Sequence, residues 1–311
     1  MEAFFLKLFE GRCPIKIETR EGLSDPTAVV VGNFDGLHRG HTHLLNILGK
    51  RARERSLKTL VVTFCPHPLK VLAKNLFMCE LSSAEEKIEL FAELGIDYLC
   101  FIKFDKNFSR IRAKEFLKEV LWKRLRCKYL LVGYDWRFGY RREGEVELAR
   151  EMGRKLGFEV ELAKAYRKNG HIVSSTLLRR LLSEGRLKEV KEFLGRTYWI
   201  KRKVVRGEGR GRKIGFPTAN LGETENLCLR EGVYAVRVDD TYIGVANYGY
   251  RPTFDGKKKV LEVHIIGFSG NLRGKKIKVE FLKFLREERK FSDIKELKKQ
   301  IESDIHLALS L

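Results

Sequence analysis

Two histidines lie three residues apart at a junction between a strand-like and a helix-like segment. The apolar run at residues 29–31 leads into the sequence Gly32-Asn33-Phe34-Asp-Gly-Leu-His38-Arg-Gly40-His41. A helix that begins where a parallel strand ends offers free N–H groups and a partial positive charge to a phosphate. His38 and His41 can both face that anion, and Gly40 lets a nucleotide approach the backbone. One histidine here would usually be structural, but two in this turn indicate phosphate chemistry.

A glycine-rich basic segment in the second half is the other candidate phosphate site. It reads Val205-Arg-Gly207-Glu-Gly209-Arg210-Gly211-Arg212-Lys-Ile-Gly215-Phe-Pro217-Thr218-Ala-Asn220. Alternating glycines with interleaved arginines predict a flexible cationic loop whose backbone N–H groups could surround a phosphate. A hairpin turn would have similar glycines, so the loop alone does not decide the function. The Thr218 hydroxyl and the Asn220 amide oxygen are hard ligands suited to Mg²⁺.

The elements that position the histidines alternate between strands and helices. The predicted strands cover residues 27–32, 60–64, 97–104, 128–133 and 158–162. The predicted helices cover residues 43–55, 82–94, 113–125 and 145–156. This alternation predicts an α/β domain with a doubly wound parallel sheet covered on both faces.

The texture of the sequence changes near Gly195. Two short helical stretches, 175–182 and 187–194, end at this glycine, and period-2 apolar runs separated by glycine-rich turns follow up to about residue 284. Such runs predict an antiparallel sheet or barrel. A closing helix over residues 293–309 is expected to pack across it through its apolar side chains, which are Ile294, Leu297, Ile301 and Ile305. We therefore expect two domains, 1–195 and 196–311.

The charge of the protein raises nucleic acid as a possible partner. The chain of 311 residues has 62 Lys and Arg against 41 Asp and Glu, a formal net charge of +21. The excess divides into +11 over residues 1–195 and +10 over residues 196–311, and both signs mix within helical segments such as 112–119. A solvated surface of the kind common in thermophilic proteins explains such a pattern. We therefore expect no nucleic-acid partner. The alternative interpretation of the charge is a basic nucleic-acid-binding protein.

Hydropathy and cysteine usage bound the class of protein further. No apolar run approaches the roughly 18 residues that a membrane span requires. The N-terminus carries an acidic residue, and its apolar stretch is too short for a signal peptide. A cytoplasmic location and no membrane partner are therefore expected. The six cysteines are scattered without metal-ligand spacing. They are interpreted as reduced, buried thiols, and a structural zinc site is not expected.

The first candidate site resembles the His-x-Gly-His nucleotidyltransferases. The decapeptide ending at His41 is similar to that of the adenylyltransferase half of bacterial bifunctional riboflavin kinase/FAD synthetases. Three further stretches match that half, and they are Phe64-Cys-Pro66-His67-Pro68, Val132-Gly-Tyr-Asp135-Trp136-Arg137-Phe-Gly139 and Ser174-Ser175-Thr176-Leu-Leu178-Arg179. Trp136 stands where the family has Phe, and Leu178 where it has Ile. Both departures keep an apolar side chain.

The resemblance implies a Rossmann-like domain that transfers AMP from ATP to FMN and releases pyrophosphate. Positioning and charge neutralisation suffice for such a transfer. His38 and His41 would act near the α- and β-phosphates, and Arg179 would hold the pyrophosphate. The other implied phosphate contacts are Gly32, Asn33, Phe34, Gly40, Ser174, Ser175 and Thr176, although a helix N-cap would use the same hydroxyl residues. The implied flavin contacts are Pro66, His67, Asp135 and Arg137, where His67 could instead be a turn residue and the last two could contact adenosine.

The second candidate site resembles the riboflavin kinase domain of the same family, an antiparallel barrel with a closing helix. The matching stretches are Gly215-Phe-Pro-Thr218-Ala-Asn220, Gly244-Val-Ala-Asn-Tyr-Gly249-Tyr250-Arg251-Pro-Thr-Phe254 and Leu261-Glu262-Val-His264. The resemblance implies that Thr218 and Asn220 bind Mg-ATP and that Glu262 accepts the proton of the riboflavin hydroxyl. The alternative interpretation of Glu262 is an ordinary polar residue on the exposed face of a strand. The residues expected around phosphate are Gly207, Gly209, Arg210, Gly211 and Arg212, and the segment 281–291 resembles one that contributes to flavin binding.

These matches occur in the family's order in both halves of the chain. We therefore expect a bifunctional enzyme that makes FMN from riboflavin and FAD from FMN, with ATP as co-substrate and Mg²⁺ in both steps. Its expected small-molecule partners are riboflavin, FMN, FAD and ATP, and the oligomeric state is left open. A protein with one of the two halves inactive is kept as an alternative.

Overall fold

The computed structural model describes residues 6–10, 15–18, 22–73, 78–207, 209–253 and 256–311. Contacts divide these residues into two compact units. The first contains the described residues up to Met78 together with Ser82–Val173, and the second contains Cys79–Leu81 with Ser174–Leu311. The two helices before Gly195 therefore group by contact with the second unit, while a functional division at Gly195 stays a prediction.

A seven-stranded sheet forms the centre of the first unit, in the order β2-β1-β5-β4-β3-β6-β7. Strands β3 to β7 run parallel, and β1 pairs antiparallel with β2 and β5. The strands are β1 (Leu6–Glu10), β2 (Ile15–Glu18), β3 (Thr27–Val31), β4 (Lys58–Cys65), β5 (Tyr98–Lys103), β6 (Cys127–Val132) and β7 (Glu159–Leu162). A small ribbon adds β8 (Arg167–Lys168) and β9 (His171–Ile172). The parallel sheet confirms the α/β prediction, and the β1–β2 hairpin was not predicted.

Helices follow the parallel strands as the alternation predicts. They are α1 (Arg39–Glu54), α2 (Pro68–Leu72), α3 (Ala84–Glu93), α4 (Ala113–Glu115) and α5 (Val146–Leu156). The α4 segment continues as a π-helix over Phe116–Arg124. Strand β3 is buried along its whole length because Val29 and Val31 pack into a core with the π-helix, while Ala28 and Val30 point to the opposite, equally buried face.

The second unit consists mainly of three short helices, a closed six-stranded barrel and a final helix, which confirms the predicted β-barrel. The barrel order is β10-β11-β14-β13-β12-β15, and each neighbouring pair is antiparallel. The helices are α6 (Ser175–Ser183), α7 (Leu187–Leu194), α8 (Arg210–Lys213) and α9 (Ile294–Leu309). The strands are β10 (Tyr198–Val205), β11 (Ala219–Leu221), β12 (Gly232–Val238), β13 (Tyr242–Thr253), β14 (Gly256–Ile265) and β15 (Lys276–Arg286).

Helix α9 packs on β12 and β13 through its C-terminal half. Ala308 is buried in a cluster with Val233 and Val245, and Ile305 packs against that cluster. Ile294 is 61% exposed, so the expectation that it packs on the barrel is wrong. Ile294 lies in the first turn of α9, outside the C-terminal half that packs on the strands.

The cysteines differ in part from the sequence expectation. Cys79 and Cys228, 149 residues apart, form a disulfide, so the interpretation of all six as reduced thiols is wrong for this pair. Nothing in the sequence indicates that two cysteines so far apart would pair. Cys65 is exposed, whereas Cys100 and Cys127 are buried and burial raises the pKa of both thiols. Cys13 lies outside the described residues.

The part of the chain that the structure describes contains no group of three His, Cys, Asp or Glu side chains arranged to hold a metal ion. It also contains no helix of the length and apolarity that crossing a membrane requires.

Candidate active sites

The turn between β3 and α1 has a constrained backbone. Phe34 and Leu37 are buried yet adopt positive φ angles of 46° and 39°. The Phe34 ring packs against the ring of His41 with centroids 5.1 Å apart. A Cβ at Gly32 would lie 3.1 Å from that phenyl ring, closer than most Cβ contacts, so glycine leaves the ring more room. Such backbone conformations persist where surrounding contacts fix them. Here the contacts keep the strand-to-helix turn packed against the ring of His41.

Polar contacts fix the same turn. The Asp35 carboxylate accepts a hydrogen bond from the Ser82 backbone N–H at 3.1 Å, and the Gly36 N–H donates to the Ser82 hydroxyl at 2.9 Å. The Lys87 ammonium donates to the Asn33 carbonyl at 2.8 Å. Sequence reasoning assigned no role to Asp35, Ser82 or Lys87. The one available signal was the place of Asp35 inside the decapeptide.

The two histidines form a stacked pair. Their ring centroids are 3.6 Å apart with an interplanar angle of 14°. His38 is the N-cap of α1, and its Nδ1 accepts a hydrogen bond from the His41 backbone N–H at 3.3 Å. Because Nδ1 is the acceptor, the proton of a neutral His38 lies on Nε2. The first turn of α1 contains no acidic residue, which leaves the helix N-terminus favourable for an anion.

Burial keeps His41 neutral. Burial of the imidazole, ahead of the positive charges of His38 and Lys87, holds the pKa of His41 well below its ordinary value of 6.5. Its Nδ1 atom is buried and has no hydrogen-bond partner among the residues that the structure describes. His41 therefore offers a neutral ring near pH 7, and a phosphate placed beside it would favour the charged form.

The Ser-Ser-Thr segment begins directly after a residue that touches the histidine turn. A Cβ at Gly40 would lie 3.1 Å from the Val173 carbonyl oxygen, closer than most Cβ contacts, so glycine favours this approach. Ser174 follows Val173 and caps α6 by accepting a hydrogen bond from the Leu177 N–H at 3.2 Å. Ser175 and Thr176 lie in the first turn of α6. Arg179 Nε donates to the Cys79 carbonyl at 2.9 Å.

Two of the candidate flavin residues, His67 and Arg137, have structural contacts. His67, which follows the cis peptide of Pro66, is buried and caps α2 by accepting a hydrogen bond from the Leu69 N–H at 3.2 Å. Arg137 forms an ion pair with Glu145. Asp135 is exposed beside the stacked rings of Trp136 and Phe138, whose centroids are 4.1 Å apart. A flavin-binding role for these residues stays a prediction.

Three polar side chains form a row across the barrel. Glu262 on β14 is paired in register with Asn220 on β11 and with Asn247 on β13. Directly opposed residues of antiparallel strands share one face, so the carboxylate lies between the two amides. The Asn247 Oδ1 is buried and has no donor within the described part of the chain. Asn247 lies within the stretch from Gly244 to Phe254 that resembles the kinase family, although the resemblance implies no role for it.

The glycine-rich segment folds against this row. A Cβ at Gly207 would overlap the Asn220 amide, and one at Gly211 would overlap the Phe216 carbonyl and lie 3.4 Å from the Thr218 methyl. The structure therefore brings Gly207, Gly211 and Thr218 together with Asn220. The segment predicted as a flexible cationic loop contains a helical turn at its centre, α8 over residues 210–213, after Gly209, whose φ is 70°. Gly209 adopts the left-handed backbone conformation from which this turn starts, a conformation that glycine reaches without steric cost. The side chains of Arg210 and Arg212 are exposed on that turn, and Glu208 lies outside the described residues.

Comparisons with known proteins match both units. A family model described as FAD synthetase matches residues 21–177, and one described as riboflavin kinase matches residues 194–311. The bifunctional riboflavin kinase/FMN adenylyltransferase of Escherichia coli (strain K12) is 37% identical over 303 residues, covering 96% of each chain. That of Listeria monocytogenes is 33% identical over 295 residues, covering 93% of each.

The chain belongs to the bifunctional riboflavin kinase/FMN adenylyltransferase family.

A solved structure is similar over nearly the whole length as well. It is the crystal structure of a Streptococcus pneumoniae protein described as a macrolide-efflux protein, with 29% identity, a TM-score of 0.81 and coverage of 93% of this chain and 96% of that one. The FAD synthetase match ends at residue 177, so it includes Ser174, Ser175 and Thr176, which by contact belong to the second unit. In this member of the bifunctional riboflavin kinase/FMN adenylyltransferase family, a motif that matches one activity thus lies at the start of the other compact unit.

Proposed function

We propose that the barrel phosphorylates riboflavin with ATP to give FMN, and that the histidine site transfers AMP from a second ATP to FMN. The observation that carries the proposal is the presence of two separate polar sites, each within the stretch that one family model matches. The stacked histidine pair lies in the first, and the Asn220–Glu262–Asn247 row lies in the second. We assign the activities to residues 1–195 and 196–311, in the cytoplasm.

In the adenylylation step, an FMN phosphate oxygen attacks the α-phosphorus of ATP. The new P–O bond forms as the bond between the α-phosphorus and the bridging oxygen breaks, and pyrophosphate leaves with the electron pair. No enzyme nucleophile is needed, so the protein acts by positioning and by stabilising charge. His38 donates from Nε2, His41 becomes cationic beside the phosphates, and the α1 N-terminus adds its N–H groups. Arg179 and the hydroxyls of residues 174–176 hold the departing pyrophosphate.

In the kinase step, Glu262 accepts the proton of a ribityl hydroxyl. The hydroxyl oxygen attacks the γ-phosphorus of ATP, and ADP leaves as the bond to the β-phosphate bridge breaks. A carboxylate needs only hydrogen-bond reach of that hydroxyl to act as the base. The buried acceptor of Asn247 beside Glu262 supports this role, because a second hydroxyl of a polyol substrate would supply the donor that it needs.

The residues around Asn220 suit Mg²⁺ carried by ATP. Thr218 and Asn220 provide two neutral oxygen ligands, and Mg²⁺ usually takes few protein ligands while keeping water and substrate phosphates. When bound, the ion would neutralise the phosphate charge that develops during transfer. Gly207 and Gly211 place backbone next to these ligands without a side chain between them.

Variants of the two sites test the division of labour. Riboflavin, ATP and Mg²⁺ are incubated with each variant and the flavins are separated by chromatography. His41→Ala should stop at FMN because adenylylation falls by at least about a hundredfold. Glu262→Ala should form no FMN yet convert added FMN to FAD.

The matched controls are His43→Ala, an exposed histidine on the same helix, and Glu302→Ala on the exposed side of α9. Both controls should give FAD at the normal rate. Loss of FMN formation in His41→Ala would show that the division between the two sites is wrong.

A further inference from the structure

Lys87 of α3 is a buried lysine beside the turn that carries the histidines. Its side chain is 5% exposed, and its ammonium donates to the Asn33 carbonyl at 2.8 Å. The hydroxyl of Thr63, a buried residue on β4, donates to the same carbonyl at 3.1 Å. Two donors from different elements thus hold one carbonyl, and the charged donor makes the stronger hydrogen bond.

The start of α3 is fixed, which fixes the base of the lysine side chain. Ser83 and Glu86 form a capping box, in which the Glu86 carboxylate accepts from the Ser83 N–H at 2.7 Å and the Ser83 hydroxyl accepts from the Glu86 N–H at 3.2 Å. One turn after Lys87, Phe91 packs edge-on against the Phe34 ring, with centroids 5.5 Å apart. Helix α3 therefore holds the turn through an aromatic ring as well as through the ammonium.

The held carbonyl belongs to the peptide that sets the direction of the Phe34 N–H. This peptide is trans, so its N–H points opposite to its C=O. Because the carbonyl is directed at Lys87 and Thr63, the N–H is directed to the other side of the turn. Phe34 has a φ of 46°, a conformation that surrounding contacts must maintain, and its ring packs against His41.

The ammonium also acts on His41 through its charge. Burial is the main cause of the lowered pKa of His41, and the positive charges of His38 and Lys87 lower that pKa further. A like charge has this effect at short range. Lys87 therefore lies close to the histidine ring that Phe34 contacts.

We propose that Lys87 is a positioning residue for adenylylation, because it holds the Asn33–Phe34 peptide with its N–H directed to the phosphates of ATP. The inference rests on the proposed function of the histidine site. A backbone N–H stabilises charge that develops on a phosphate most effectively when its direction is set before the reaction. Without the ammonium, the Thr63 hydrogen bond has to hold the peptide, and rotation would turn the carbonyl oxygen toward the phosphates.

Lys87→Met tests the role of the ammonium while it keeps a side chain of similar length. Conversion of FMN to FAD should become at least about tenfold slower, since a hydrogen bond from a charged group is lost. Phosphorylation of riboflavin by the same sample should be unchanged. The matched control is Lys50→Met, at an exposed position of α1, which should leave both rates unchanged.

Chemical rescue separates the missing ammonium from general damage to the fold. Lys87→Ala removes a propyl chain and its ammonium, so added n-propylammonium should raise the rate of FAD formation severalfold and with saturation. Tetramethylammonium has the charge but no N–H to donate, and it should not raise the rate. Equal rescue by both ions would overturn the inference. Thr63→Val removes the neutral donor to the same carbonyl and should slow FAD formation less than Lys87→Met does.

A spectroscopic readout follows the peptide itself. The dipeptide Asn-Phe occurs at residues 33–34 and 107–108, so carbonyl-¹³C asparagine combined with ¹⁵N phenylalanine gives two signals in a carbonyl-to-nitrogen correlation spectrum. Mg-ATP without flavin should shift the Phe34 signal in the wild type but not in Lys87→Met. Phe108 lies in the core of the first unit, so an unchanged Phe108 signal shows that this unit is folded in the variant.

A wild-type rate of FAD formation in Lys87→Met, or a Phe34 signal that still shifts with Mg-ATP, would overturn the inference. Where loss of the Phe108 signal shows that Lys87→Met is unfolded, Thr63→Val decides, and a wild-type rate in that variant overturns the inference. His41→Ala distinguishes these results from failure of the proposed function. If His41→Ala converts FMN to FAD at the wild-type rate, the assignment of the site is wrong. If His41→Ala is inactive but Lys87→Met keeps the wild-type rate, the positioning role alone is wrong.

Discussion

The motifs located individual residues of the two sites but did not reveal the protonation states of those residues. His38, His41, Thr218, Asn220 and Glu262 were identified from spacing and resemblance. The neutral state of His41 depends on burial of its ring, which packs against Phe34, and on the charge of Lys87, which is distant in sequence. The sequence therefore predicts where phosphate chemistry can occur and not the charge that the free protein brings to it.

The lowered pKa of His41 makes stability depend on pH with a definite sign. The unfolded chain takes up a proton near the ordinary value of 6.5, whereas the folded protein takes it up only at lower pH. Between these values the unfolded state binds more protons, so stability falls as pH drops below about 6.5 and is recovered as pH rises. Urea unfolding of the ligand-free protein from pH 5 to pH 7.5 should show this slope.

Substitution of the buried ring checks the origin of that slope. His41→Gln should flatten the dependence, whereas His43→Gln, at an exposed position of α1, should leave it unchanged. Equal slopes in the wild type and in His41→Gln would show that another group is responsible.

At the scale of elements, repeating apolar patterns predicted the long strands and helices. They did not predict the short elements or the hydrogen-bond pattern within a helix. Period-2 runs located the long barrel strands, and apolar alternation located β3 to β7. The three-residue strand β11 and the four-residue turn α8 escaped because each is too short for an apolar pattern to repeat within it. The π-helix over Phe116–Arg124 was predicted as an ordinary helix, since apolar spacing does not report which carbonyl each N–H bonds.

The closing helix should depend on one buried ion pair more than on its first apolar residue. Asp304 is 1% exposed and accepts hydrogen bonds from Arg286 and from Gln300 Nε2 at 2.9 Å. Asp304→Ala would leave the Arg286 charge without its partner, and loss of one member of a buried pair costs about 3–5 kcal/mol. The free energy of unfolding of the barrel, measured with urea, should fall by that order.

Two exposed positions of the same helix serve as comparisons. Glu302→Ala and Ile294→Ala should each change the free energy of unfolding by less than about 0.5 kcal/mol. A loss for Ile294→Ala as large as that for Asp304→Ala would contradict the account of how α9 is anchored.

At the scale of the whole molecule, the sequence predicted two catalytic regions but not all the links along the chain. The disulfide between Cys79 and Cys228 attaches residues 79–81 to the second compact unit, although their neighbours in sequence belong to the first. Arg179, in that second unit, donates to the carbonyl of Cys79. Composition and spacing contain no information about pairings over such distances. The net charge of +21 is shared between the two halves, which is consistent with two anionic substrates.

The central claim is that one chain contains two separable sites that act in sequence, and mixing two variants tests it most directly. His41→Ala and Glu262→Ala are incubated with riboflavin, ATP and Mg²⁺, separately and together, and FAD is followed by chromatography. We predict that His41→Ala alone accumulates FMN, that Glu262→Ala alone leaves riboflavin unchanged, and that the mixture produces FAD because the second variant uses FMN released by the first. Formation of FAD from riboflavin by either variant alone, or no FMN from His41→Ala, would contradict the account.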